Sequence, residues 1–181
     1  MGHKAAFVDR DGVINEDYGY VYLWNNFRFK RNLKKGLLIL QQLGYKLIIV
    51  TNQSGIARGL FTEEEYKKLT KRYLYALRKD GIRIEEVFYC PHHPLFSSEQ
   101  ECLCRKPNPG MIKDAIKKYH IDPKKSLIIG DNISDTQAGY NANIPFRYLI
   151  SKKNINHFSI TKVFRSLFHC AKFLEKNPEL E

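Results

Sequence analysis

Asp9 and Asp11 stand one residue apart in V-D-R-D-G-V-I-N, directly after the apolar run Ala5 to Val8. In extended backbone, residues i and i+2 share a face, so both carboxylates enter one small volume. Two such charges about 4 Å apart repel by roughly 4 kcal/mol at a surface-like dielectric. A proton or a divalent cation offsets that repulsion, and hard carboxylate oxygens suit Mg²⁺. The simpler alternative is a strand-to-loop turn marked by Asp-Gly. An EF-hand is excluded, because the glycine comes too early and no glutamate falls at the twelfth loop position.

Three further stretches carry chemistry. Thr51-Asn52-Gln53-Ser54-Gly55 follows the run K-L-I-I-V. It offers a hydroxyl and backbone N–H groups able to hold phosphate oxygens, or else forms an ordinary polar turn. In G-D-N-I-S-D, Asp131 can join Asp9 on a cation while Asp135 supports the turn, or Asp131 can cap the next helix. Arg105 and Lys106 stand side by side in C-R-K-P. Just before them, Cys90, Cys102 and Cys104 cluster with His92 and His93. That is a metal-site pattern more than a disulfide framework. The Cys-x-His…Cys-x-Cys gaps fit tetrahedral zinc but are unlike ordinary zinc fingers, and His93 competes with His92.

These residues need a scaffold. Apolar and β-branched runs predict strands at 4–9, 45–51, 87–90, 126–130 and 146–149. Between them, Leu33, Leu37, Leu38, Leu40 and Leu43 have helical spacing before Gly44, a C′ glycine. Thr62 and Glu65 form a capping box ahead of Tyr66, Leu69 and Tyr73. Pro109 begins a helix carrying Met111, Ile112, Ala115 and Ile116. Alternation of strand and helix predicts an α/β fold, a Rossmann-like three-layer sandwich with a mainly parallel sheet. In such folds ligands bind at the carboxyl ends of strands, which is where Asp9 and Asp11 fall. The segment from Ile160 to Leu174 has the apolar pattern of a helix over about 160–175, packed on the core with Cys170 inside. The connection from Cys90 to Lys106 lacks periodicity, and long loops of that kind carry function.

The bulk properties set limits. A chain of 181 residues, 43% hydrophobic, suffices for one domain over 1–181 with a full core. Charged residues interrupt any early apolar stretch, so neither a leader peptide nor a membrane span is expected, and the location expected is cytoplasmic. The net charge of +11 favours anionic ligands.

The four motifs, in this order, resemble the haloacid dehalogenase superfamily of phosphatases. D-R-D-G-V-I-N is similar to its first motif, T-N-Q-S-G to its second, R-K-P to its third and G-D-N-I-S-D to its fourth, over about residues 5–149. D-R-D-G-V-I-N-E-D-Y-G-Y, T-N-Q-S-G-I-A-R-G, Y-C-P-H-H-P and C-R-K-P-N-P-G-M resemble the D-glycero-D-manno-heptose-1,7-bisphosphate 7-phosphatase family more narrowly. The resemblance implies a compact core without a large cap domain and with a zinc loop over 90–104. It implies removal of the C7 phosphate during heptose and lipopolysaccharide biosynthesis. Asp9 matches the nucleophile and Asp11 the general acid and base. Thr51 and Lys106 match the groups stabilising the transferring phosphoryl. Asp9, the backbone carbonyl of Asp11 and Asp131 match the Mg²⁺ ligands, and Cys90, His92, Cys102 and Cys104 those of a structural Zn²⁺. Substrate contacts fall on Asp17, Tyr18, Gly19, Tyr20, Asn52, Gln53, Ser54, Arg105 and Asn132. Asn132 departs from the pattern, because many relatives carry lysine there.

Two rival readings are a histidinol-phosphate phosphatase, which shares the zinc loop, and a zinc-containing nucleic-acid-binding module, suggested by the charge. The second lacks an aromatic platform or recognition helix. The partner expected is a phosphorylated sugar, with no nucleic acid, no membrane and a monomeric chain.

Overall fold

The computed structural model describes residues 2–97 and 102–178. Strands are β1 (Ala5–Val8), β2 (Lys46–Asn52), β3 (Ile84–Cys90), β4 (Leu127–Gly130), β5 (Phe146–Ile150) and β6 (Lys162–Phe164). Helices are α1 (Leu33–Gln42), α2 (Glu63–Lys79), α3 (Gly110–Tyr119), α4 (Ile133–Asn141) and α5 (Leu167–Lys176). The six strands form one sheet in the order β3-β2-β1-β4-β5-β6, and every pairing is parallel.

Strand alternation divides the core into two layers. Ala6 and Val8 of β1, with Leu47 and Ile49 of β2, meet α1, α2 and α5. Ala5 and Phe7, with Ile48 and Val50, meet Met111, Ile112 and Ala115 of α3 and Ala138 of α4. Both faces of the sheet are therefore covered, as a parallel sheet requires. The chain leaves β1, builds β2 and β3 to one side, then returns to place β4 on the other. The carboxyl ends of β1, β2 and β4 meet at that switch, where a doubly wound sheet opens its crevice.

Local signals hold where they were clear. Thr62 caps α2, with its hydroxyl accepting from the Glu65 N–H and the Glu65 carboxylate accepting from the Thr62 N–H. Gly44 has φ +85° just past α1, the left-handed turn that favours glycine. Cys170 is buried in the core.

The C-terminal segment corrects the expected helix over 160–175. Residues 162–164 are β6, which pairs with β5 as Tyr148↔Lys162, Leu149↔Val163 and Ile150↔Phe164. The helix starts only after Ser166, whose side chain caps α5 by accepting from the His169 N–H. Val163 and Phe164 fit helical spacing, but the bare edge of β5 gives their backbone a ladder instead. The third strand starts at Ile84 and not at 87. Glu85 and Glu86 hid its beginning, and they pair with Lys46 and Lys118.

Candidate active site

β1 ends at Val8, and Asp9 extends it, its N–H bonded to the Ile129 carbonyl of β4 at 2.9 Å. The chain then turns tightly: the Arg10 carbonyl accepts from the N–H groups of Ile14 and Asn15. Gly12 sits inside this turn with φ +79°, and a Cβ there would lie 1.8 Å from Asp131 Oδ2. Only a residue without a side chain lets the β1 loop and Asp131 approach so closely.

Lys106 is the hub of the site. It is buried, and its Nζ donates to Asp9 Oδ1 at 2.7 Å and to the Val50 carbonyl at 2.8 Å. It also pairs with Asp135 Oδ1 at 2.6 Å. All three ammonium protons thus have acceptors. Burial opposes the charge on Lys106, but the Asp135 and Asp9 carboxylates outweigh it and raise the ammonium above its ordinary range. Asn52 fixes the loop that delivers Lys106: its amide oxygen accepts from the Lys106 N–H, and its Nδ2 donates to the Lys106 carbonyl.

Burial raises the Asp9 carboxyl to about 8, against the pull of Lys106 and with the charges of Asp135, Asp131 and Asp11 adding to it. Burial followed by the Asp135 charge lifts Asp131 to about 6. One carboxylate oxygen from each of Asp9, Asp131 and Asp135 lies within 4.8 Å of the others. Asp135 is the most committed of the three. One of its oxygens faces Lys106, and the other accepts from the Asn132 N–H at 2.9 Å. The residue capping α4 is Asn132, not Asp131, so the Asp131 carboxylate is left to the crevice.

Asp11 takes no part in that carboxylate trio. Its oxygens accept from Arg10 Nη2 at 2.7 Å, Asn15 Nδ2 at 3.0 Å and Gln53 Nε2 at 2.8 Å. Gln53 also donates to Thr51 Oγ1 at 2.9 Å. Gln53, expected as a substrate contact, thus has its Nε2 engaged by Asp11 and Thr51. A cleft of about 220 Å³ opens beside Asp11, lined by Asp17, Gly19, Tyr20, Asn52, Gln53, Ser54 and Gly55. Tyr18 does not line it; it faces a neighbouring hollow of about 410 Å³ with Asn25 and Arg28. Arg105 lies beside the cysteine loop, donating to the His92 carbonyl at 3.2 Å.

The metal-type cluster of that loop is assembled. Cys90, His92, Cys102 and Cys104 bring one ligand atom each within 4.8 Å of the others. Cys90 Sγ lies 3.5 Å from Cys102 Sγ, and Cys104 Sγ lies 3.4 Å from His92 Nδ1. A tetrahedron with bonds of about 2.0–2.3 Å has edges of about 3.3–3.8 Å, and the Cys90–Cys104 Sγ pair, at 2.8 Å, stands closer than that. His93 stands outside the cluster, bonded to Arg58 at 2.7 Å. Residues 98–101 of the 90–104 loop lie outside the described residues.

Three contributors had only weak signals in sequence. Arg10 and Asn15 belong to the first motif, yet no spacing rule says that both side chains turn inward. Asp135 was expected only to support its turn, and it grips Lys106 directly.

A doubly wound parallel sheet with a carboxylate cluster, a buried lysine and a hydroxyl-bearing strand end defines a haloacid dehalogenase-like hydrolase. A family model described as "HAD-hyrolase-like" matches residues 103–149. The chain is 45% identical over 150 residues to the D-glycero-alpha-D-manno-heptose-1,7-bisphosphate 7-phosphatase of Photorhabdus laumondii, covering 81% of this chain and 82% of that protein. It is 44% identical to the corresponding beta-named phosphatase of Haemophilus ducreyi, over 83% of this chain and 84% of that protein. Among solved structures, D,D-heptose 1.7-bisphosphate phosphatase from B. bronchiseptica, complexed with magnesium and phosphate, matches with TM-score 0.83 and 28% identity. That match covers 96% of this chain and 99% of the other. The chain belongs to the heptose-1,7-bisphosphate 7-phosphatase family.

Proposed function

We propose that this protein removes the C7 phosphate of D-glycero-D-manno-heptose 1,7-bisphosphate in nucleotide-activated heptose biosynthesis. The observation that carries the reading is the convergence of Asp9, Asp131, Asp135 and Lys106 beside the Asp11 cleft, in a chain of this family. One Asp9 oxygen attacks phosphorus, forming an acyl phosphate as the P–O bond to the sugar breaks. Asp11 gives its proton to the departing sugar oxygen, then takes one from the water that attacks phosphorus. Inorganic phosphate leaves and the Asp9 carboxylate is restored. The Thr51 hydroxyl and the Lys106 ammonium stabilise the charge that spreads over the transferring oxygens.

The hard oxygen donors of Asp9 and Asp131 fit Mg²⁺, with the Asp11 carbonyl as a further ligand. Bound there, Mg²⁺ would neutralise phosphate charge. Asp135 serves as counter-ion to Lys106. Cys90, His92, Cys102 and Cys104 suit Zn²⁺ by softness and spacing, in a structural role that aims Arg105 and Lys106 at the cleft. Arg105 suits a two-nitrogen grip on the second phosphate, with Asp17, Gly19, Tyr20, Asn52 and Ser54 facing the sugar. No helix among the described residues is long and apolar enough to cross a membrane. A monomer in the cytoplasm completes the reading.

The test is phosphate release from the heptose bisphosphate and from histidinol phosphate, side by side with Mg²⁺. Clear preference for the first is expected. Equal turnover, or preference for histidinol phosphate, overturns the assignment.

A further inference from the structure

We infer that Arg10, with Asn15, is a positioning residue for the general acid: it fixes the direction of the Asp11 carboxylate and acts through it alone. The inference rests on the reading of Asp11 as acid. The side chain of Arg10 is fully buried, with no exposed surface. Its Nη2 lies 2.7 Å from both Asp11 oxygens, and Nε donates to Oδ1 at 3.1 Å. That is a two-nitrogen grip, which a planar guanidinium makes and an ammonium does not. Nη2 also donates to the Val21 carbonyl at 2.8 Å, tying the grip to the loop beyond the first motif. Asn15, likewise buried, adds its Nδ2 to Asp11 Oδ1 at 3.0 Å and donates to the Glu16 carbonyl at 2.9 Å.

The arrangement is expensive, and that is informative. Arg10 Nη1 is buried without a hydrogen-bond partner among the described residues. An unsatisfied buried donor costs about 1–3 kcal/mol. The guanidinium packs over the Tyr66 ring of α2, 5.7 Å from its centroid. An apolar residue would be cheaper to bury against that ring. What an apolar residue cannot do is hold a carboxylate by two nitrogens. Neither Arg10 nor Asn15 lines the Asp11 cleft, so neither has a route to the substrate except through Asp11.

A group acting through the acid matters only where the leaving oxygen needs a proton. An alkoxide leaving from a sugar does; 4-nitrophenolate does not. Arg10→Lys, Asn15→Ala and Asp11→Asn are therefore compared in single-turnover experiments with Mg²⁺, on the heptose bisphosphate and on 4-nitrophenyl phosphate. Arg10→Lys should slow cleavage of the sugar phosphate by about 10²-fold, as misplacement of a reacting group does. Release of 4-nitrophenol should stay within about threefold of the parent. Asn15→Ala should give the same split at about tenfold, and it decides the matter if Arg10→Lys does not fold. Equal slowing of both substrates, or no slowing of either, overturns the inference. Asp11→Asn separates the two failures. If it shows the split and the other variants do not, only the positioning role falls. If it slows both substrates alike, the assignment of Asp11 as acid falls first.

Discussion

Lys106 donates a 2.7 Å hydrogen bond to Asp9 across a sequence separation of 97 residues. The bond ties the loop after the cysteine cluster to the carboxyl end of β1. It places a fixed positive charge against the carboxylate that attacks phosphorus in the proposed reaction.

Lys106→Met removes the ammonium and leaves Asp9 and Asp135 buried without their counter-charge. Breaking a buried pair from one side costs about 3–5 kcal/mol. Thermal melting should fall accordingly. Phosphate release should fall by at least about 10²-fold even for the folded fraction. Unchanged turnover in folded protein would contradict the role given to Lys106.

Asp9→Asn keeps the shape of the side chain and removes the nucleophile. Turnover should drop by about 10⁴-fold or more, the scale seen when a covalent nucleophile is lost. Zinc content, measured by metal analysis, should not change, since the cysteine cluster is a separate group. Turnover near that of the parent protein ends the proposed mechanism.

Removing the proposed zinc with a chelator should lower kcat by about 10–100-fold, as loss of an orienting group does. Backbone amides at 102–106 should exchange faster with solvent, and zinc addition should restore both. A metal-stripped protein with unaltered kcat would show that the loop holds itself.

Magnesium affinity should depend on pH. Asp9 is raised to about 8 and Asp131 to about 6, each chiefly by burial. Both must shed a proton to bind a cation, so protons compete as pH falls. Apparent affinity should weaken from pH 8 toward pH 6, by up to about tenfold per pH unit for each proton displaced. Calorimetric titrations in buffers of different ionisation enthalpy should record proton release. A flat profile would place the cation elsewhere.

Gly12→Ala forces a side chain to within 1.8 Å of Asp131 Oδ2, at a φ of +79°. Asp131 must retreat or the loop must open. Stability should fall by about 1 kcal/mol or more, and half-saturation with Mg²⁺ should rise. Normal magnesium dependence in this variant would show that Asp131 is not needed near the β1 loop.

The ends of α1 and α2 were readable because they depend on neighbours in the chain. Thr62 and Glu65 lie three residues apart, and Gly44 follows the Leu43 that ends its helix. The residue types of the motifs were readable as well: aspartates and a threonine stand at or just past strand ends, and the lysine follows the cysteine set on the loop after β3. Residues 162–164 were not readable. Their apolar spacing suits a helix, and only the vacant edge of β5 makes them a strand. Nor could the inward turn of Arg10 be read, since side-chain direction in a tight turn follows from packing against α2.

By itself the sequence determined which functional groups exist and roughly which strand ends carry them, because residue type and short spacing act locally. The tertiary structure alone decided who touches whom. Lys106 meets Asp9 and Asp135 because β1, β2 and β4 adjoin at the sheet's centre. Asp131 reaches the β1 loop because Gly12 leaves it room. Such contacts depend on strand order and on closing long loops, which no local pattern encodes.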